Sequence, residues 1–230
     1  RMIPRISPDH PVLEDFISVL ARNGRETQRV SVLEAFENSD YPAVVGGLEE
    51  GGDVFHTNTV EVLKGRLADE IPTFESGNVL VCLRERRVIG VVDLDEKSAA
   101  WAMVGSWMAQ HQPTVLDNGN ILIFDNKGDD GASRVIEFDP VEKRPVWVYE
   151  AEELGQFFSP ECGSNQRLPN GNTLITESDR GTAFEVTPDK TIVWKYFNPY
   201  QAGTDDEYIA TLFEVVRLDP DFPIDWAEGE

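Results

Sequence analysis

Three recurrences in the sequence predict an all-β chain, a β-propeller of four-stranded antiparallel blades. The turn Ser76-Gly77-Asn78 returns as Asn118-Gly119-Asn120 and as Asn170-Gly171-Asn172, each time leading into an apolar strand. After each comes an alternating strand and then a tryptophan: VVDLDEKSAAW ends at Trp101, VIEFDPVEKRPVW at Trp147 and AFEVTPDKTIVW at Trp194. Gly77 and Gly119 stand 42 residues apart, and Gly119 and Gly171 stand 52 apart, lengths that suit a four-stranded repeat. The Gly-Asn pairs fit hairpin turns that require positive φ. A β-sandwich with chance likeness between hairpins is the bland alternative, and three coincident turn-plus-Trp patterns disfavour it.

In chain order, residues 1–230 form one domain with blades at about 1–33, 54–104, 110–150 and 162–197, and a closing strand at about 209–218. The first blade offers strand candidates at Met2–Ile6, Phe16–Ala21 and Gln28–Leu33, the last two joined by the turn Arg22-Asn23-Gly24-Arg25. Residues 33–52 contain a short helix candidate and a Gly-rich loop. The second blade carries an insertion, Lys64–Glu75, between its first two strands. The third blade is the plainest repeat, with TVL, NILIF, RVIEF and a strand ending in VWVY. The terminal strand, Thr211–Leu218, follows an acidic loop, and the tail DPDFPIDWAEGE reads as irregular and exposed. Two readings of the ring stay open. The terminal strand completes the first blade of a four-bladed ring, or the chain is the C-terminal part of a longer propeller, the reading favoured here.

A chain of 230 residues can bury a large core. Its net charge of -22, from 42 acidic and 20 basic residues, argues against nucleic acid and against an anionic membrane surface. No apolar run reaches the ~20 residues of a membrane span, so no membrane insertion is expected. No signal segment is visible at the RMIPR start, which leaves open a leader removed or left out. Cys82, mid-strand in VLVCL, reads as a small core residue. Cys162 lies in a loop of another repeat, so no disulfide between them is expected.

Two of the three histidines carry the functional reading. Aligning HTNTVE with HQPTVL places His56 and His111 at one repeat position, the start of the innermost strand, where a propeller surrounds its channel. The loops Asp125–Arg134 and Glu177–Gly181 open on the same rim and bring Arg134 and Arg180 toward the histidines, with Arg84, Arg86 and Arg87 in the equivalent turn of the second blade. Imidazole can attack, accept or donate protons, and Arg can clamp a tetrahedral oxyanion. The competing reading has His56 and His111 satisfying strand-edge carbonyls. His10, in the polar turn Ser-Pro-Asp-His-Pro, reads as structural. No metal is expected: two histidines would need a third ligand such as Cys162 or Glu161 for zinc. The calcium-like loop Asp125–Gly131 has Lys127 where an oxygen ligand is needed. No cofactor motif is present, neither Gly-rich phosphate loop nor CxxC pair.

The runs QHQPTVLDNGNILIFDN, FHTNTVEVL and SPECGSNQRLPNGNTLITESDRGTAFEVTP resemble the arylsulfotransferase family, over roughly residues 16–218. The resemblance implies a propeller, typically six-bladed, of a periplasmic or secreted protein. It implies transfer of a sulfuryl group between phenolic compounds through a sulfohistidine. His56 and His111 match channel-mouth histidines of the family, and Arg134 looks like its sulfate-binding arginine. The expected site is therefore His56 and His111 as catalytic residues, with Arg134, Arg167, Arg180, Asn58 and Gln110 binding substrate. The partner is a small phenolic sulfate or phenol, with no cofactor. One departure stands out: the resemblance implies a further, third site histidine that accepts the sulfuryl group, and the matching rim of the fourth blade offers Glu161-Cys162-Gly163 and no histidine. The alternative function is a non-catalytic propeller, a ligand- or protein-binding scaffold with a protein partner or further blades at an open edge.

Overall fold

The computed structural model describes residues 2–4, 6–46, 52–128, 131–153, 155–205 and 207–223. Asp129, Asp130, part of the Gly-rich loop and the last residues of the tail, on which expectations above fell, lie outside them. In chain order the elements are β1 Val12–Leu13, β2 Phe16–Leu20, β3 Glu26–Ser31, α1 Val32–Glu37, β4 Gly52–Asp53, β5 Thr57–Val62, β6 Val79–Leu83, β7 Val88–Asp93 and β8 Ser98–Val104. They continue as β9 His111–Val115, β10 Ile121–Asp125, β11 Arg134–Asp139, β12 Arg144–Glu150, β13 Ser164–Arg167, β14 Thr173–Glu177, β15 Thr182–Val186, β16 Ile192–Phe197, β17 Gln201–Ala202 and β18 Tyr208–Ile209.

Three of the sheets are four-stranded antiparallel blades, β5-β6-β7-β8, β9-β10-β11-β12 and β13-β14-β15-β16, in the expected up-and-down order. In each, the second strand is buried along its whole length. That is what a blade centre requires, since both its faces pack against neighbouring blades and both carry apolar residues. Between the second and third blades the core is Leu80, Ile89, Val91, Val115, Ile121 and Ile123. Between the third and fourth it is Leu122, Phe124, Val135, Tyr149, Phe157, Ile175 and Phe184. The insertion at 64–75 is not a loose loop. Its Leu67 and Phe74 enter the core between the second and third blades, and Arg66 pairs with Asp117 at 2.6 Å.

The first blade differs from the sequence expectation. Among the described residues of 2–6 there is no strand, only an isolated bridge between Ile3 and Ser7; β2 and β3 form a two-stranded sheet. The third candidate strand ends at Ser31, not Leu33. The Ser31 hydroxyl accepts the Glu34 amide at 3.2 Å and so starts α1, whose Val32, Leu33, Ala35 and Phe36 pack on the second blade. Residues 211–218 form no ladder with the first blade. They run extended along the fourth, with the Leu212 amide donating to Ser178 O and the Arg217 amide to Gln166 Oε1.

Candidate functional site

The site is set by hairpin register. Leu63, Leu116 and Leu168 each donate their amide, at 2.8 Å, to the asparagine two residues beyond the Gly-Asn turn's start: Asn78, Asn120 and Asn172. These three leucines are therefore equivalent, and counting back from them makes His111 equivalent to Asn58 and Gly163. His56 is instead equivalent to Ala109, and both have the same left-handed backbone, φ 49° and 54°. The pairing of HTNTVE with HQPTVL is thus out of register by two residues. The insertion at 64–75 separates Leu63 from its turn and hides the true end of β5.

The two histidines nevertheless face one rim. The His111 Nδ1 lies 2.8 Å from Asn126 Oδ1 and 3.0 Å from Ala109 O. Asn126 is oriented by its own amide group, which donates to Ser159 O at 2.7 Å and Cys162 O at 2.9 Å. Both groups facing Nδ1 are acceptors, so Nδ1 carries the proton and the lone pair of the neutral ring belongs to Nε2. Burial pushes the His111 pKa down; the Asn126 and Ala109 contacts oppose this, and the positive charges of Arg84 and His56 add to it. The neutral ring is therefore favoured more than in an ordinary histidine. His56 is more exposed. Its Nδ1 meets Asp53 Oδ2 at 2.6 Å, while its backbone amide donates to Asp53 Oδ1 at 2.9 Å.

The cation that joins them is Arg84, the first residue after β6. Counting along the second strands makes it equivalent to Asn126 and Ser178. Its side chain is only 11% exposed, and it pairs with Glu85 and, at 2.8 Å, with Glu161. Its Nε is buried without an acceptor among the described residues, and the buried oxygens Gln110 Oε1, Thr57 Oγ1 and Asn165 Oδ1 have no hydrogen-bond partner among them either. The Cys162 thiol is pushed up by burial and by the Asp179 and Glu161 carboxylates, which makes it a poor nucleophile.

The other expected residues are placed as follows. Asn58 and Gln110 belong to the rim. Asn58 Nδ2 donates to Gln110 O at 2.8 Å, and the buried Gln110 amide donates to Leu83 O and Val88 O at 3.1 and 3.2 Å. Arg134 is committed elsewhere. Its Nε donates at 2.7 Å to the fully buried Asp125, its ladder partner, which also accepts the Met108 and Gly128 amides. Arg180 donates to Gln156 O and Gly155 O at 3.1 and 2.6 Å. With Glu177 it lines a groove of about 740 Å³ between the third and fourth blades. Arg167 stands at the far end of β13, on the opposite rim, paired with Glu137 at 2.8 Å. Arg84 is a cation that sequence reasoning brought to this rim as one of three arginines in a turn but did not include in the expected site. It sits in the cluster Arg84-Glu85-Arg86-Arg87, where only its place directly after the strand sets it apart.

The missing third histidine has a packing cause. Gly163 holds His111's position in the fourth blade, and a Cβ there would sit 2.4 Å from the Phe124 ring. Phe124 fills the space a side chain would need.

The sequence matches the arylsulfotransferase (ASST) family over residues 12–199. The chain belongs to that family. Among solved structures, this arylsulfotransferase-family chain is similar to a Bacteroides caccae protein of unknown function, 14% identical with a TM-score of 0.50, over 80% of this chain and 54% of that one. It also matches virginiamycin B lyase from Staphylococcus aureus, at 13% identity and a TM-score of 0.43, over 84% and 50%. A third match is the WD40 β-propeller domain of Doa1, at 14% and 0.44, over 66% and 46%. The chain thus spans about half the length of these structures. No curated protein matches it. Among the described residues no helix is long and apolar enough to cross a membrane.

Proposed function

We propose that this rim binds a phenolic sulfate ester and transfers its sulfuryl group to another phenol, with His111 as nucleophile, in a periplasmic or secreted setting. The carrying observation is the fixed tautomer of His111, which leaves a neutral Nε2 beside a buried guanidinium. In the first half-reaction the Nε2 lone pair forms an N–S bond to the sulfuryl sulfur. The S–O bond to the aryl group breaks, and its electrons go to the phenolate, which takes a proton from Nε2 of protonated His56. Asp53 Oδ2 accepts from His56 Nδ1, so Nε2 is the nitrogen that gives up the proton and later takes one back. The Arg84 guanidinium stabilises charge on the sulfuryl oxygens. In the second half-reaction His56 takes the proton of the acceptor phenol, whose oxygen attacks sulfur, and the N–S bond breaks.

The test is turnover of a chromogenic aryl sulfate with a phenol acceptor. Ping-pong kinetics are expected, with His111→Ala reducing kcat by about 10³-fold or more and His56→Ala by about 10²-fold. Unchanged turnover in His111→Ala would overturn the assignment. A second reading, a non-catalytic ligand- or protein-binding propeller, draws support from Gly163 at the third histidine position. It predicts no turnover with any sulfate donor.

A further inference from the structure

The third and fourth blades treat one buried carboxylate differently. Asp125 and Glu177 each end the second strand of a blade. Each accepts, at 2.8 Å, an amide from the loop that enters the blade: Met108 N onto Asp125 Oδ1, and Phe158 N onto Glu177 Oε1. Across the ladder from Asp125 stands Arg134, whose Nε donates to Asp125 Oδ2 at 2.7 Å. Across from Glu177 stands Thr182, whose hydroxyl donates to Arg180 O at 3.2 Å. The fourth blade thus has no arginine at the position that covers the carboxylate in the third. Arg180 replaces it only in part. Its Nε is 3.5 Å from Glu177 Oε1, and its terminal nitrogens are spent on Gln156 O and Gly155 O. Glu177 Oε2 has no hydrogen-bond donor among the described residues.

Beside this carboxylate lies the groove of about 740 Å³ between the two blades. Glu177 and Tyr149 line it at only 5% and 6% exposure, and the Tyr149 hydroxyl also has no hydrogen-bond partner among the described residues. Phe157 and Phe184 pack on Tyr149, with ring centroids 5.7 and 5.6 Å away, and add an aromatic surface. The exposed Lys190 and Lys195 line the groove too, and neither ammonium has an acceptor among the described residues. A concave site with aromatic lining and a few placed polar groups suits a small ligand, and polar atoms this buried cost free energy until something pairs with them. A cation alone would meet the lysines and Arg180. An anion alone would meet Glu177. Charge complementarity therefore selects a ligand that carries both signs.

We infer that this groove binds an aromatic zwitterion of the amino-acid class. Its ammonium takes the place on Glu177 that the Arg134 guanidinium takes on Asp125. Its carboxylate meets Lys190 and Lys195, and its ring packs on Tyr149, Phe157 and Phe184. The inference is independent of the sulfuryl chemistry and uses none of the residues assigned to it.

The test is calorimetric titration of the 230-residue chain with L-phenylalanine. Saturable binding of one molecule per chain is expected. Phenethylamine, which lacks the carboxylate, and 3-phenylpropionate, which lacks the ammonium, should each bind about 10-fold or more weakly. Glu177→Gln should weaken phenylalanine binding by about 10-fold or more. If that variant does not fold, Lys195→Gln, at an exposed position, should weaken it in the same sense. Thr182→Arg restores the arginine of the third blade and should abolish binding by placing a guanidinium on Glu177. No saturable binding of phenylalanine overturns the inference. So does equal affinity for either singly charged analogue, or unchanged affinity in Thr182→Arg.

Discussion

The two rims of this propeller are built from the same repeat and have diverged in opposite ways. On the Gly-Asn rim the third and fourth blades are near copies. Asn118 and Asn120 both donate to Glu137, which pairs with Arg167 of the next blade; Asn170 and Asn172 donate to Glu185, which pairs with Arg217. Both carboxylates there, Glu137 and Glu185, have an arginine partner. On the histidine rim, equivalent positions hold Asn58, His111 and Gly163, and Arg84, Asn126 and Ser178. Four buried polar atoms, on Thr57, Arg84, Gln110 and Asn165, have no partner among the described residues. Where the repeat is kept, its polar groups pair with one another; where it is broken, buried polar atoms and an imidazole stand at the rim to which the proposed function assigns the chemistry.

The sharpest way to break this contrast is to exchange the consequences of substitution. Arg84→Ala should lower kcat for an aryl sulfate by about 10²- to 10³-fold with little change in Tm, whereas Arg167→Ala should leave kcat alone. Its cost is stability, about 1–3 kcal/mol by denaturant unfolding, because Glu137 loses a charged partner at a site only 6% exposed. Loss of activity in Arg167→Ala would erase the distinction between the rims.

Acid should separate them next. Burial works to raise the Glu137 pKa, but Asn120, Asn118 and Arg167 outweigh it and hold it below the usual glutamate range. Its folded-state pKa is depressed, so its contribution to stability is present above about pH 4.5 and is lost as pH falls through the lowered value. His111 is also depressed, by burial first. In kcat/KM, the acid limb belonging to the nucleophile should therefore fall below the ordinary histidine range, well before the Gly-Asn rim loosens. A limb above pH 6.5 that vanishes in His111→Gln would contradict the tautomer argument.

The smallest effect expected is at Glu161. Its exposed carboxylate competes for the Arg84 guanidinium, so Glu161→Gln should lower KM for an anionic ester by about 2–5-fold. An unchanged KM would place the anion elsewhere.

The sequence made the blades legible because their signals are local: a Gly-Asn turn, an apolar strand and a closing tryptophan. It made the histidine rim legible as a region, through His56 and His111. The residue-level placement was not legible, for reasons of register. The 64–75 insertion hid the two-residue offset between the histidines. Arg134 read as a site cation, yet the β10–β11 ladder sets it opposite Asp125, and a buried carboxylate holds it. Arg167 belongs to the strand end at the other rim, and Arg84 was masked by its charged neighbours. Phe124 against Gly163 is a contact between blades that no single-repeat pattern carries.

The most direct measurement is the peptide-mapped mass of the chain after brief incubation with a phenolic sulfate and no acceptor. The account predicts one added sulfuryl group, about 80 Da, on His111, removed when a phenol is supplied. An adduct confined to His56, or phenol released with no adduct on His111 at any time, would contradict it.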